Sequence, residues 1–92
     1  MKTLVIYDIS DDGIRQEVSE VCKNFGLNRI QKSAFLGFLS QTRRKELSTV
    51  LRKILGNNNG NIQIFVICNA DLNLREVIGK EYFEDEDSTI II

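Results

Sequence analysis

The sequence predicts an α+β fold, a ferredoxin-like βαββαβ sandwich with a four-stranded antiparallel sheet and two helices on one face. A short C-terminal strand is expected to follow. Three observations predict it. Several segments are rich in β-branched and aromatic residues, two others repeat their apolar residues at helical spacing, and turn residues separate them in that order. The 92 residues make one domain, 1–92, and residues 69–92 are expected to form an extension that contributes to a dimer.

Residues 3–9, TLVIYDI, read as the first strand. Ser10-Asp11-Asp12-Gly13 is a turn able to cap a helix, with Asp11 and Asp12 the better capping residues. Ile14, Val18, Val21, Cys22 and Phe25 then fall on one helical face, and Gly26 suits a left-handed end. Arg29 to Phe35 reads as extended, and Gly37 as a bend between two strands. Ser40-Gln41-Thr42 starts the second helix, whose buried face is Leu47, Val50, Leu51, Ile54 and Leu55. Residues 56–60, GNNNG, form a loop, and Ile62 to Cys68 is the most apolar strand. Thr89 to Ile92 is the terminal strand candidate, set off by the acidic residues 84–87.

Both sheet faces are apolar. Leu4 and Ile6 point one way and Val5, Tyr7 and Ile9 the other, while Ile62, Ile64 and Val66 oppose Phe65 and Ile67. Two helices cover one face only. A second copy is the simplest cover for the other, which predicts a homodimer. The terminal strand has two alternatives, pairing within its own subunit or adding to a partner's sheet edge.

Composition narrows the chemistry. Histidine is absent, which excludes Ser-His-Asp and Cys-His nucleophiles and imidazole acid–base catalysis. Hydrolysis would have to use carboxylates, Lys, Tyr or a hard cation such as Mg²⁺. Two cysteines are too few for a disulfide framework, and Cys22 and Cys68 both read as core thiols. No apolar run nears the ~18 residues that cross a bilayer, and Met1-Lys2 leads into a strand without a signal-peptide pattern. A cytoplasmic protein without membrane contact is the expectation. Residues 1–69 carry ten Lys/Arg and six Asp/Glu, +4, whereas residues 70–92 carry two and seven, −5. A basic body of this kind is compatible with nucleic-acid binding.

Asp8 breaks the pattern of its strand, in phase with Leu4 and Ile6. A carboxylate there either caps the following turn or holds a charge partner such as a metal. Arg15 either pairs with Asp11 or Asp12 or contacts phosphate, and Arg29 either snorkels along apolar surface or contacts phosphate. Arg43, Arg44 and Lys45 crowd the start of the second helix, as a solvated face or a phosphate patch. Tyr7 and Phe35 are core aromatics or a base-stacking platform.

These residues resemble a known family. Tyr7-Asp8-Ile9-Ser10-Asp11-Asp12 looks like the opening of the small CRISPR-associated adaptation proteins of the Cas two family. Phe25 to Phe35, with Gly26, Arg29, Gln31, Ser33 and Phe35, is similar to its second motif. Ile62 to Cys68 resembles its fourth strand, and Leu74 to Gly79 with Ile90 to Ile92 its tail. The resemblance implies a ferredoxin-like homodimer with Mg²⁺-dependent endonuclease activity on single-stranded RNA or double-stranded DNA. It also implies spacer acquisition with an integrase of the Cas one family. Asp8 matches the family's catalytic, metal-binding aspartate, and Tyr7, Arg15, Arg29, Ser33 and Phe35 match residues of its substrate contacts. The chain departs in one place, carrying Arg15 alone where members often have adjacent arginines. A non-catalytic DNA scaffold, and a small-molecule or protein-interaction module on the same fold, are the alternatives.

Overall fold

The computed structural model describes residues 1–82. The acidic stretch at 84–87 and the expected strand at 90–92 lie outside the described residues. Six elements follow the expected order: β1 (Lys2–Asp8), α1 (Asp12–Asn24), β2 (Asn28–Gln31), β3 (Ala34–Phe38), α2 (Gln41–Leu55) and β4 (Asn61–Ile67). A seventh, α3 (Asn69–Asn73), follows them. The strands form one antiparallel sheet in the order β2-β3-β1-β4. The expected ferredoxin-like α+β fold is the observed one.

Local chemistry explains the boundaries. The Asp11 carboxylate accepts the Ile14 amide at 3.0 Å and caps α1. The Ser40 hydroxyl accepts the Arg43 amide at 3.1 Å and caps α2. After α1, Gly26 turns the chain at φ 89°, a region costly for any residue with a Cβ.

Two expectations need correction. The bend between β2 and β3 falls at Lys32-Ser33, where Gln31 pairs with Ala34, and not at Gly37. Gly37 lies inside β3 opposite Thr3, because the strand packs directly on the Leu27 segment. A Cβ there would lie 2.8 Å from Leu27 Cδ2 and 3.1 Å from Leu27 Cα. The glycine serves close approach and not a turn. The second correction is Cys68. It is only half-buried and caps α3, its sulfur accepting the Asp71 amide at 3.4 Å.

The core lies between the helices and one sheet face. Val5, Phe35, Leu47, Leu51, Val18 and Cys22 are its fully buried side chains apart from the polar Thr3, and Tyr7, Ile9, Leu27 and Leu39 pack with them. Burial raises the Cys22 thiol to about 12, against a partial opposing effect of Arg29.

On the other face Leu4, Leu36 and Ile67 are half-buried, while Ile6, Phe38 and Phe65 are exposed at 39%, 66% and 43%. The chain after β4 lies against part of this surface. Leu72 and Arg75 join Leu4, Ile30, Leu36 and Ile67 around a cavity of about 210 Å³. Val77, Ile78 and Tyr82 approach the β2 edge at Ile30 and Gln31.

Candidate nucleic-acid interface

Strand β1 ends beside the N-terminus of α1 and the β2–β3 turn. These three elements enclose an open cleft of about 720 Å³. Its lining includes Tyr7 and Asp8 from β1, Asp12, Arg15 and Ser19 from α1, Arg29 from β2, and Lys32 and Ser33 from the turn. Tyr82 reaches the same cleft from the segment after α3.

Arg15 is anchored from below. Its Nη1 donates to the carbonyls of Ile9 at 3.1 Å and Ser10 at 3.3 Å, and its Nη2 pairs with Asp12. The expected Asp12 pairing is therefore present, yet the guanidinium also lines the cleft. The carbonyls and Asp12 offset the cost of a cation near a helix N-terminus.

Arg29 is held more tightly. Nη1 donates to the Lys32 carbonyl at 2.7 Å, Nη2 donates to the Ser19 hydroxyl, and the guanidinium lies over the Phe35 ring, 4.9 Å from its centroid. This stacking fixes the plane of the fork and keeps the charge at the cleft wall.

Tyr7 lines the cleft, and Phe35 lies beneath it in the core. Their rings lie 6.4 Å apart at 17°, and they are 3% and 0% exposed. Burial raises the Tyr7 hydroxyl above its ordinary range, opposed by the Arg29 charge. That hydroxyl donates to the Lys32 carbonyl at 3.4 Å. Neither ring offers a face to a base in this conformation, so Phe35 reaches the cleft through Arg29.

Asp8 differs from its neighbours. It is exposed at the end of β1, and its carboxylate accepts no hydrogen bond and joins no ion pair among the described residues. Its capping role falls to Asp11 instead.

Arg43 and Arg44 are not brought to this cleft. Arg43 lies 4.1 Å from the centre of the Phe25 ring and pairs with Glu46 at 2.7 Å, which serves helix–helix packing. Ser19 was not visible as a site residue in the sequence. The signal that marks it is the polar stripe Asp12, Arg15, Gln16, Ser19, spaced by 3, 1 and 3 along α1.

For a cation, the donor set is sparse. Among the described residues no group of three or more His, Cys, Asp and Glu could hold a metal. Asp12 is committed to Arg15, leaving Asp8 as the unpaired carboxylate of the cleft. One free hard-oxygen ligand fits Mg²⁺, which keeps several of its waters and needs only one or two carboxylates.

The family model described as CRISPR associated protein Cas2 matches residues 1–75. The chain belongs to this family. A Desulforudis audaxviator protein named CRISPR-associated endoribonuclease Cas2 is 45% identical over 78 residues, 85% of this chain and 74% of the relative. A Korarchaeum cryptofilum protein of the same name is 41% identical over 83 residues, 90% and 89% of the two chains. A Thermoproteus tenax protein named CRISPR-associated endonuclease Cas1/endonuclease Cas2 fusion is 36% identical over 67 residues, 73% of this chain and 25% of the fusion. The crystal structure of Streptococcus pyogenes Cas2 at pH 6.5 superposes with a TM-score of 0.75 at 20% identity, covering 86% of this chain and all of that one, and supports the fold. No helix among the described residues is long and apolar enough to cross a membrane.

Proposed function

We propose that the chain is a CRISPR-associated endonuclease that hydrolyses phosphodiester bonds in single-stranded RNA or double-stranded DNA, with Mg²⁺ held by Asp8. The observation that carries the reading is the unpartnered Asp8 carboxylate at a cleft walled by Arg15, Arg29 and Lys32. The endoribonuclease names of its relatives point the same way.

Each residue then has a task. Asp8 would hold the cation, which would supply Lewis acidity and a water of lowered pKa. Arg15 and Arg29 are positioned in advance by carbonyls, Asp12, Ser19 and the Phe35 ring. They bind phosphate and stabilise the charge that grows on it, with little reorganisation at the moment of reaction. Ser33 and Lys32 line the turn side of the cleft. With no histidine in the chain, imidazole takes no part in proton transfer.

A homodimer completes the reading. The apolar open face, with Ile6, Phe38 and Phe65 exposed, supports a second copy packed sheet to sheet. Two copies of Asp8 near the axis could then share one ion. The test is cleavage of labelled RNA by co-refolded mixtures of wild type and Asp8→Ala. A shared ion predicts activity falling with the square of the wild-type fraction. Activity independent of the fraction would remove Asp8 from the chemistry.

The fused Thermoproteus tenax relative favours a second, compatible role. In it the chain assists spacer acquisition as a DNA-binding scaffold beside an integrase of the Cas1 family. The basic residues then serve chiefly to hold the phosphate backbone.

A further inference from the structure

Two of the cations lining the cleft, Arg29 and Lys32, come from β2 and the β2–β3 turn, on one side of β1. On the other side lies β4. The register of that pair sets Asp8 directly opposite Asn61. Directly opposed residues of an antiparallel pair share a face, with their Cβ atoms about 5 Å apart. Asn61 is exposed, and its side-chain amide makes no hydrogen bond among the described residues. Two polar side chains with no hydrogen bond among the described residues thus stand together at one end of a face that presents Leu4, Ile6, Leu36 and Phe65, with the polar Gln63 opposite Ile6 and Lys2 at the far end.

The backbone here is tightly placed. Gly60, at φ 129°, closes the GNNNG loop against β1. A Cβ on it would lie 2.6 Å from the Asp8 carbonyl oxygen and 3.3 Å from Ile9 Cα. The loop therefore reaches Asn61 through a residue that only glycine suits, pressed onto the Asp8 backbone. The relation between residues 8 and 61 is fixed by the ladder and by this contact together.

We propose that Asn61 is a second cation ligand, its amide oxygen binding the same divalent ion as the Asp8 carboxylate. The inference rests on the reading of Asp8 as the metal-holding residue. An amide oxygen is a hard, neutral donor that suits Mg²⁺. It adds a ligand without adding negative charge beside the phosphate. Within one subunit the ion then has two protein ligands from adjacent strands, and the cations of the cleft remain free for substrate.

The experiment is a Mn²⁺ titration of the full chain, following the electron paramagnetic resonance signal of the free ion. Wild type is compared with Asp8→Asn, Asn61→Ala and Asn61→Asp. Asn61→Ala is expected to weaken binding about tenfold, within the range for lost metal-site partners. Asn61→Asp, nearly isosteric, is expected to bind more tightly than wild type. It also keeps the test decisive should the alanine variant fold poorly. If both Asn61 variants bind as wild type does and Asp8→Asn does not, the inference is overturned and the proposed function stands. If Asp8→Asn binds as well as wild type, the proposed metal site and this inference fail together.

Discussion

The Arg29 guanidinium lies 4.9 Å from the centre of the Phe35 ring while donating to both the Lys32 carbonyl and the Ser19 hydroxyl. One side chain thereby ties α1, β2, the β2–β3 turn and β3 together. A lysine can reproduce the charge but neither the planar fork nor the stacking. Arg29→Lys is expected to lose about 1 kcal/mol of stability. It is also expected to weaken nucleic-acid binding beyond that loss, read from denaturation midpoints and a binding isotherm.

Asp8→Ala is expected to leave the melting temperature nearly unchanged, because the carboxylate is exposed and has no partner among the described residues. Cleavage is expected to vanish. A large drop in thermal stability would instead assign Asp8 a structural role.

Gly37→Ala is expected to destabilise the fold by about 1–3 kcal/mol, as overpacking does. The added Cβ meets Leu27 Cα and the Gly26 carbonyl at 3.1 and 3.2 Å, and backbone atoms yield little. Chemical denaturation would read the loss directly. The equivalent change at Gly13, where the added atom meets only the Asp11 side chain at 3.3 Å, is expected to be mild.

This glycine shows where the sequence was legible and where it was not. The amphipathic faces of α1 and α2 announce themselves through apolar spacing, and both caps were visible in Ser40 and Asp11. Gly37 was misread as a bend because a close interstrand packing contact and a turn ask for the same residue. The short helix α3 has only five residues, NADLN, too few for any apolar period to emerge. At the site, Asp8 stood out because a carboxylate breaks an apolar strand. Ser19 did not, since its function as the Arg29 acceptor depends on a contact across ten residues. Arg43 and Arg44 lie outside the cleft lining. Their charge left a solvated face and a phosphate patch open, and the Phe25 ring and Glu46 engage Arg43 away from the cleft.

Alkaline pH should destabilise the protein through Cys22. Its thiol is raised from 9.0 to about 12 by burial, so the folded state resists deprotonation more than the unfolded chain does. The stabilising contribution is therefore full below pH 9 and is lost as pH rises toward 12. Tyr7, also raised by burial, acts in the same direction. Denaturation midpoints from pH 8 to 11 are expected to fall, and the fall should be smaller in Cys22→Ala, which cannot ionise at that position.

Binding to nucleic acid should weaken with salt. If Arg15, Arg29 and Lys32 each engage a phosphate, log affinity against log salt should have a slope near −0.7 per contact for a single strand and −0.9 for a duplex. Isotherms at three salt concentrations would give the slope. Arg15→Ala is expected to make it shallower by about one such contact, and an unchanged slope would place Arg15 outside the interface.

The most direct test of the account is cleavage of labelled single-stranded RNA and duplex DNA by wild type and Asp8→Ala, each with Mg²⁺ and with EDTA. The account predicts products only from wild type in the presence of Mg²⁺. Equal cleavage by Asp8→Ala, or wild-type cleavage that persists in EDTA, would contradict it.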